Sequence, residues 1–268
     1  MKALAYWHGP ERVRRYAQAF ANGCPDRCRL LHVSEVGAEE ADVVWLYGLG
    51  EARPVFDHHR RALRIVGDKG YFAGEVTQKY LRVSINAQQP DKHLRLVKHA
   101  TDRFDTLGIK TQPVTRRGDY ILLCGAGPKQ CWIQGRGYGQ WERETFAKLQ
   151  GMTDRQIIVR EKPKNAPIDG VPRSMHASTA DAIRGAWAVV CQTGNIGVDA
   201  ILHGVPVVAE AGPGAVYHGE TLADIETIRP LDADARRQAL ADVAYWQWRR
   251  DEFTSGAFWR HLKAEGLI

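Results

Sequence analysis

The sequence predicts an α/β protein of two Rossmann-like domains facing a cleft, and three observations carry that prediction. Short apolar runs alternate with helix-like stretches along all 268 residues, the pattern of repeated strand–helix–strand units. The length exceeds one such domain and suits two small ones, since domains cluster around ~100–150 residues. One stretch, 108–118 (GIKTQPVTRRG), has no apolar periodicity and carries Pro113 among basic residues, as a linker does. The expected division is therefore a domain over 1–110, a linker over 111–118, a second domain over 119–243 and a helical tail over 244–268.

In the first half, 2–7 (KALAYW) reads as a strand that ends at His8-Gly9-Pro10. An amphipathic helix follows over 11–22, because Val13, Tyr16, Ala17 and Phe20 recur at the spacing of one helical face. Further strands are expected over 29–33, 42–47, 63–66 and 80–84. The second half opens with the strand 120–124 (YILLC), a glycine-rich loop and a helix over 141–149. Strand 157–159, helix 178–185, strand 188–191, helix 196–203 and strand 205–209 follow in turn. The tail over 232–268 is expected to be helical, with Gly256 and Gly266 as interruptions.

Composition narrows the classes. The chain is 44% hydrophobic and 25% charged, ordinary values for a soluble enzyme. No apolar run approaches the ~18 residues that cross a bilayer, and the N-terminal run is too short for a signal-peptide core. Five cysteines, an odd number without a CxxC pair, argue against a zinc site or a disulfide framework and fit a reducing cytoplasm. The 37 Lys+Arg against 31 Asp+Glu leave a formal charge of +6, which favours polyanionic partners without requiring one.

The most informative stretch is 188–204 (AVVCQTGNIGVDAILHG). A strand ends at Cys191, the turn Gln192-Thr193-Gly194-Asn195 reverses the chain, and a helix starts at once. A helix start preceded by Thr193, Gly194 and Asn195 offers backbone N–H groups and a positive dipole end to a phosphate. Asp199 stands one turn further, placed to accept hydrogen bonds from ribose hydroxyls. Taken alone, the same turn is also an ordinary helix start. Two more strand ends point the same way. Gly125-Ala126-Gly127 follows strand 120–124, and Arg160 and Lys162 follow strand 157–159, at the edge where open parallel sheets bind ligands. Alternate residues on an extended chain share a face, so the two cations could address one anion.

Residues 187–222 resemble the donor-binding segment of GT-B glycosyltransferases, in particular capsular polysaccharide and Kdo transferases. The matching positions are Thr193, Asn195, Gly197, Asp199, Ala200, Gly204, Pro206 and Val207, then Tyr217, Gly219 and Thr221. Asp199 stands where the family usually carries Glu. Size and charge are also similar to phage transferases that modify hydroxymethylated pyrimidines in DNA.

The resemblance implies a GT-B-like fold whose C-terminal helix crosses back, a nucleotide-sugar donor (a UDP-sugar first), and no obligatory metal. It implies a proton-accepting base in the first half, where Asp68, His8 and Glu11 are the candidates. Asp68 lies in Gly67-Asp68-Lys69-Gly70, which is also plain turn chemistry. The preferred acceptor is 5-hydroxymethylpyrimidine in phage-type DNA, in a host cytoplasm, met by Lys69 and by the glycine-rich, aromatic loop that carries Lys129, Arg136 and Tyr138. The tryptophans of the tail, Trp246 and Trp259, read as packing residues. The alternatives are a polysaccharide acceptor, transfer of an amino acid or other group onto modified DNA, and a non-catalytic nucleotide or nucleic-acid binding module. No membrane partner is expected, and the sequence is silent on oligomeric state.

Overall fold

The computed structural model describes residues 1–37, 39–72, 79–114, 118–162, 164–219 and 221–268. Its elements run β1 (Ala3–Trp7), α1 (Glu11–Gly23), β2 (Cys28–His32), β3 (Val43–Tyr47), α2 (Arg53–His58), β4 (Leu63–Lys69), β5 (Tyr80–Ile85), α3 (Asp91–Leu96) and α4 (Asp102–Thr106). Then follow β6 (Tyr120–Cys124), α5 (Pro128–Ile133), α6 (Gln140–Gln150), β7 (Gln156–Val159), α7 (Thr179–Arg184), β8 (Ala186–Cys191), α8 (Asn195–Leu202), β9 (Val207–Ala209) and α9 (Pro213–Tyr217). The chain ends with α10 (Ala233–Tyr245), β10 (Gln247–Arg249), α11 (Arg250–Thr254) and α12 (Ala257–Ala264).

Two compact units result. One joins Met1–Pro90 to Trp246–Ile268, and the other is Asp91–Tyr245. The first unit holds a sheet of order β10-β5-β4-β3-β1-β2. Its β1 to β4 are parallel, whereas β5 runs antiparallel to β4 and β10 antiparallel to β5. The tail is thus not wholly helical: Gln247–Arg249 breaks it as a strand that covers the edge of β5, satisfying backbone groups an edge leaves open. Pairing with β5 also lengthens β4 beyond Val66, so Asp68 and Lys69 lie in the strand opposite Arg82 and Leu81 rather than in a turn.

Aromatic rings fill the space between α1 and the tail. Phe20 stacks on Trp45 at 5.1 Å and meets Trp259 at 4.6 Å, while Phe253 meets Trp45 and Phe258 at 5.0 Å each. Trp246 and Trp259 are buried, and the Trp259 indole donates to the Phe20 carbonyl at 3.1 Å. A side chain at position 23 would fall 1.8 Å from the Phe253 carbonyl oxygen, so Gly23 sets how closely α1 and α11 approach.

The second unit is a parallel sheet of order β7-β6-β8-β9, its core built on Ile121, Leu123, Ile157, Val159, Val190 and Val208. Residues 91–110, read from sequence with the first half, belong here. Their reason is a buried polar network around Asp242. Its Oδ1 accepts from the His99 amide at 2.7 Å and from Gln238 Nε2 at 2.9 Å, and its Oδ2 accepts from the Tyr217 hydroxyl at 3.0 Å. Of the segment 111–118, residues 115–117 lie outside the described residues.

Burial alone would raise the pKa of Asp242, but hydrogen bonds from His99, Gln238 and Tyr217 hold it below the ordinary carboxylate value. A depressed folded-state pKa adds stability above the unfolded value near ~4 and loses it as pH falls through the folded value. Asp242→Ala is expected to cost about 3 kcal/mol at pH 7 by denaturant unfolding, because it strands three donors, the His99 amide among them buried and the other two half-buried. The difference from wild type should narrow below about pH 4.

Candidate functional site

In the second unit the strand order places β7 to one side of β6 and β8 to the other. Connections leaving β6 and β8 therefore run outward in opposite directions, and their carboxyl ends frame the position where open α/β sheets take ligands. The loop at 125–127 and the turn at 192–195 meet there, for the Gln192 amide donates to the Cys124 carbonyl at 3.3 Å.

The turn has the form its sequence suggests. Gly194 stands at the N-cap of α8 with φ +105° and ψ −166°, a conformation that favours glycine, and as a glycine it brings no side chain of its own to the helix start. A side chain built on Gly194 would meet nothing within 4 Å, so the helix start faces open space. Beneath it, Gln192 is 1% exposed and neither its amide oxygen nor its amide nitrogen has a hydrogen-bond partner among the described residues. Asp199 is half-buried in α8, and burial pushes its pKa up to about 7. Thr193 and Asn195 flank Gly194, both half-buried.

Across the switch point the glycines do different work. A side chain at Gly125 would fall 1.8 Å from the carboxylate of Glu142 on α6, so this glycine is explained by the carboxyl pressed against it. Glu142 is 2% exposed, its Oε2 has no partner, and burial pushes its pKa up. Gly127 caps α5, and the Lys162 ammonium stands 3.9 Å from where a side chain on Gly127 would begin. Arg160 has partners within its own unit. Its guanidinium donates to the His176 carbonyl at 2.9 Å and to Thr179 Oγ1 at 3.3 Å, tying down the chain before α7. Lys129, read from sequence as part of a glycine-rich loop, stands in α5 and is exposed; in the loop that follows, Arg136 stands 3.5 Å from Glu210, and the Tyr138 hydroxyl donates to the Ala166 carbonyl at 2.8 Å.

In the first unit, His8 and Asp68 are held at strand ends by different means. His8 is buried beyond β1, with Nε2 2.8 Å from the Tyr47 carbonyl; a carbonyl only accepts, so Nε2 carries a proton. Its Nδ1 stands 3.2 Å from Glu51. Asp68 has both oxygens engaged, Oδ2 by Arg82 at 3.0 Å and Oδ1 by the Lys69 amide at 2.7 Å. Arg82 is itself buried and donates to Gln89 at 3.0 Å, so the Asp68–Arg82 pair is a cross-strand ion pair inside a polar network. Glu11 opens α1 and is paired with Arg15 at 3.3 Å, and Lys69 is exposed.

Gln192 and Glu142 were not singled out by sequence. Glu142 looks like one more polar residue of an amphipathic helix, and only the glycine it faces betrays it. No helix among the described residues is long and apolar enough to cross a membrane.

No family model matches the chain, and no curated protein matches it by sequence. Solved structures do match. The chain is similar to the beta Kdo 2,7 transferase of KpsC from Thermosulfurimonas dismutans, with 12% identity, TM-score 0.59, and 96% of this chain and 99% of that chain covered. It is also similar to the beta Kdo 2,4 transferase of the same KpsC, with 13% identity, TM-score 0.54, and 93% and 92% covered. At such identities the likeness is one of fold: the chain has the GT-B-like fold of two Rossmann-like domains.

A carboxyl whose folded pKa is raised gives its full stability below the unfolded value and loses it as pH rises through the folded one. For Asp199 that window runs from about pH 4 to about pH 7. Asp199→Asn is therefore expected to unfold at a higher temperature than wild type at pH 8 and to lose that advantage at pH 4, as read by thermal melts at the two values.

Proposed function

We propose that the chain is a glycosyltransferase that moves a sugar from a nucleotide-sugar donor to a hydroxyl acceptor. The observation that carries the proposal is the start of α8 at the switch point of the second unit, where Gly194 opens the helix and the buried side-chain amide of Gln192 has no partner among the described residues. Backbone N–H groups at a helix start favour a phosphate, and the dipole adds to them. Asp199 in the same helix is the group assigned to the donor's ribose. The fold similarity to two Kdo transferases supports the same class.

In the reaction the acceptor oxygen bonds to the anomeric carbon as the bond from that carbon to the phosphate oxygen breaks. The departing nucleotide keeps the electron pair, and its growing charge is met by the α8 amides and by Lys162. The acceptor proton passes to a base. Of the sequence candidates, His8 has the strongest local case: its ring is fixed through Nε2, and Nδ1, 3.2 Å from the Glu51 carboxylate, is the nitrogen that would take the proton, whereas Asp68 would have to give up Arg82. A UDP-sugar is the first donor to test.

A saccharide hydroxyl is the acceptor class favoured here, since both similar structures bear the names of sugar-adding enzymes and Arg136 and Tyr138 already have partners within their own unit. DNA carrying 5-hydroxymethylpyrimidine rests on the charge of +6 and on Lys69 and Lys129, which are exposed.

The test is thermal stabilisation by nucleoside mono- and diphosphates, followed by mass spectrometry of saccharide and hydroxymethylated-DNA acceptors incubated with nucleotide sugars. A nucleotide at a hundred times its dissociation constant should add about 2.7 kcal/mol of stability. Gln192→Leu should leave the free protein as stable or about 1 kcal/mol more so, since it removes an unsatisfied buried amide, yet weaken nucleotide binding at least about tenfold. His8→Ala should keep nucleotide binding and lose transfer. If no nucleotide shifts the melting temperature, the transferase reading falls.

A further inference from the structure

The first unit has a recess that no part of the transfer scheme uses. It lies between the N-terminal half of α1 and the segment of β10 and α11, and has a volume of about 890 Å³. Arg12, Arg15, Lys79, Arg249 and Arg250 line it, against the two carboxylates Glu11 and Asp251. Both carboxylates are already matched, Glu11 by Arg15 at 3.3 Å and Asp251 by Arg249 at 3.0 Å. Arg12 and Arg250 have no carboxylate within ion-pair distance among the described residues, so the recess presents positive charge that the protein does not neutralise.

Tyr16, which is buried, lines the recess one turn of α1 beyond Arg12. Gly23 lets α11 close on α1, which holds Arg250 beside the arginines of the helix. A second hollow of about 310 Å³ shares Glu11, Arg15, Arg250 and Thr254 with the first and continues along α1. It reaches Gln18 and Asn22, whose amides bond to each other at 2.7 Å, and Arg14, which lies 5.3 Å over the Trp7 ring. From residue 11 to 22 the helix advances about 16 Å, so the two hollows form an elongated groove.

We propose that this groove binds an acidic oligosaccharide, a thin chain with carboxylates or phosphates spaced along it, held by Arg12 and Arg250. The anion part follows from the groove alone; the word saccharide rests on the glycosyltransferase reading. Guanidinium forks suit carboxylate and phosphate by paired hydrogen bonds. Single-stranded nucleic acid fits less well, because such sites stack bases on exposed rings and the one ring lining the groove, Tyr16, is buried. Duplex DNA is gripped by elements that project into its own grooves, and here the cavity is on the protein.

Fluorescence anisotropy with labelled hexagalacturonate, maltohexaose, a dodecamer of thymidine and a 12-base-pair duplex tests the proposal. Hexagalacturonate should bind, its affinity should fall steeply as salt rises, and maltohexaose should not bind. Arg12→Ala with Arg250→Ala should weaken hexagalacturonate at least tenfold, while Arg27→Ala with Arg61→Ala, an equal loss of exposed charge outside the groove, should leave it unchanged. Ser255→Glu adds a carboxylate to the rim and should weaken it as well, which guards against a folding defect in the arginine variant. Equal binding by wild type and both groove variants overturns the proposal. So does equal binding of maltohexaose, or tighter arginine-dependent binding of either DNA. Nucleotide stabilisation is read on the same proteins, so loss of the groove and loss of the transferase reading are separate results.

Discussion

The reversal of strand order between β6 and β8 is the constraint on which the second unit depends. With β7 beyond β6 and β9 beyond β8, the chain leaves the two central strands in opposite directions. Glycine is required at both turns for different reasons. Gly194 takes a left-handed conformation that frees the start of α8, while Gly125 yields its side-chain space to the Glu142 carboxyl.

The first unit is organised by a different constraint, the return of the chain after Tyr245. Once β10 pairs with β5, the next residues have to lie over α1, and the contact is made by rings: Phe253 and Phe258 against Phe20 and Trp45. Buried aromatic pairs of this kind carry much of the apolar area of a small core. The same closure brings Arg249 and Arg250 next to Arg12 and Arg15. Packing thus creates a concentration of charge that costs electrostatic free energy in the free protein, and an anion would relieve it.

Periodicity in the sequence located most strands and helices to within about two residues, because burial on one or both faces leaves a direct mark on residue type. It failed where the cause was long-range. Asp68 and Lys69 read as a turn since Gly67 and Gly70 flank them, yet pairing with Arg82 and Leu81 keeps them in β4. The strand β10 is only Gln247–Arg249, too short for alternation to register, and its place depends on a partner far away in the chain. The helix start at 195 was legible because glycine, threonine and asparagine before an apolar helix have a local meaning. Glu142 and the Arg12–Arg250 pairing were not, since each is defined by a neighbour distant in sequence.

The ionisable side chains divide by the company they keep, and the division tracks their roles. Asp242 is buried with three donors, and its pKa is depressed; Arg82 and Arg160 are spent on Asp68, Gln89 and the His176 carbonyl. For Glu142, which is buried, and Asp199, which is half-buried, desolvation prevails and their pKa values are raised. Folding alone selects for the first kind and against the second, because a desolvated carboxyl without partners lowers stability. Carboxyls of the second kind gather around the switch point, beside the open start of α8, which is the distribution expected when a ligand supplies the missing donors. The same reasoning applies to the cations. A net charge of +6 says little by itself, since most guanidinium groups are matched within the fold; what distinguishes Arg12 and Arg250 is that they line one recess with no carboxylate within ion-pair distance among the described residues.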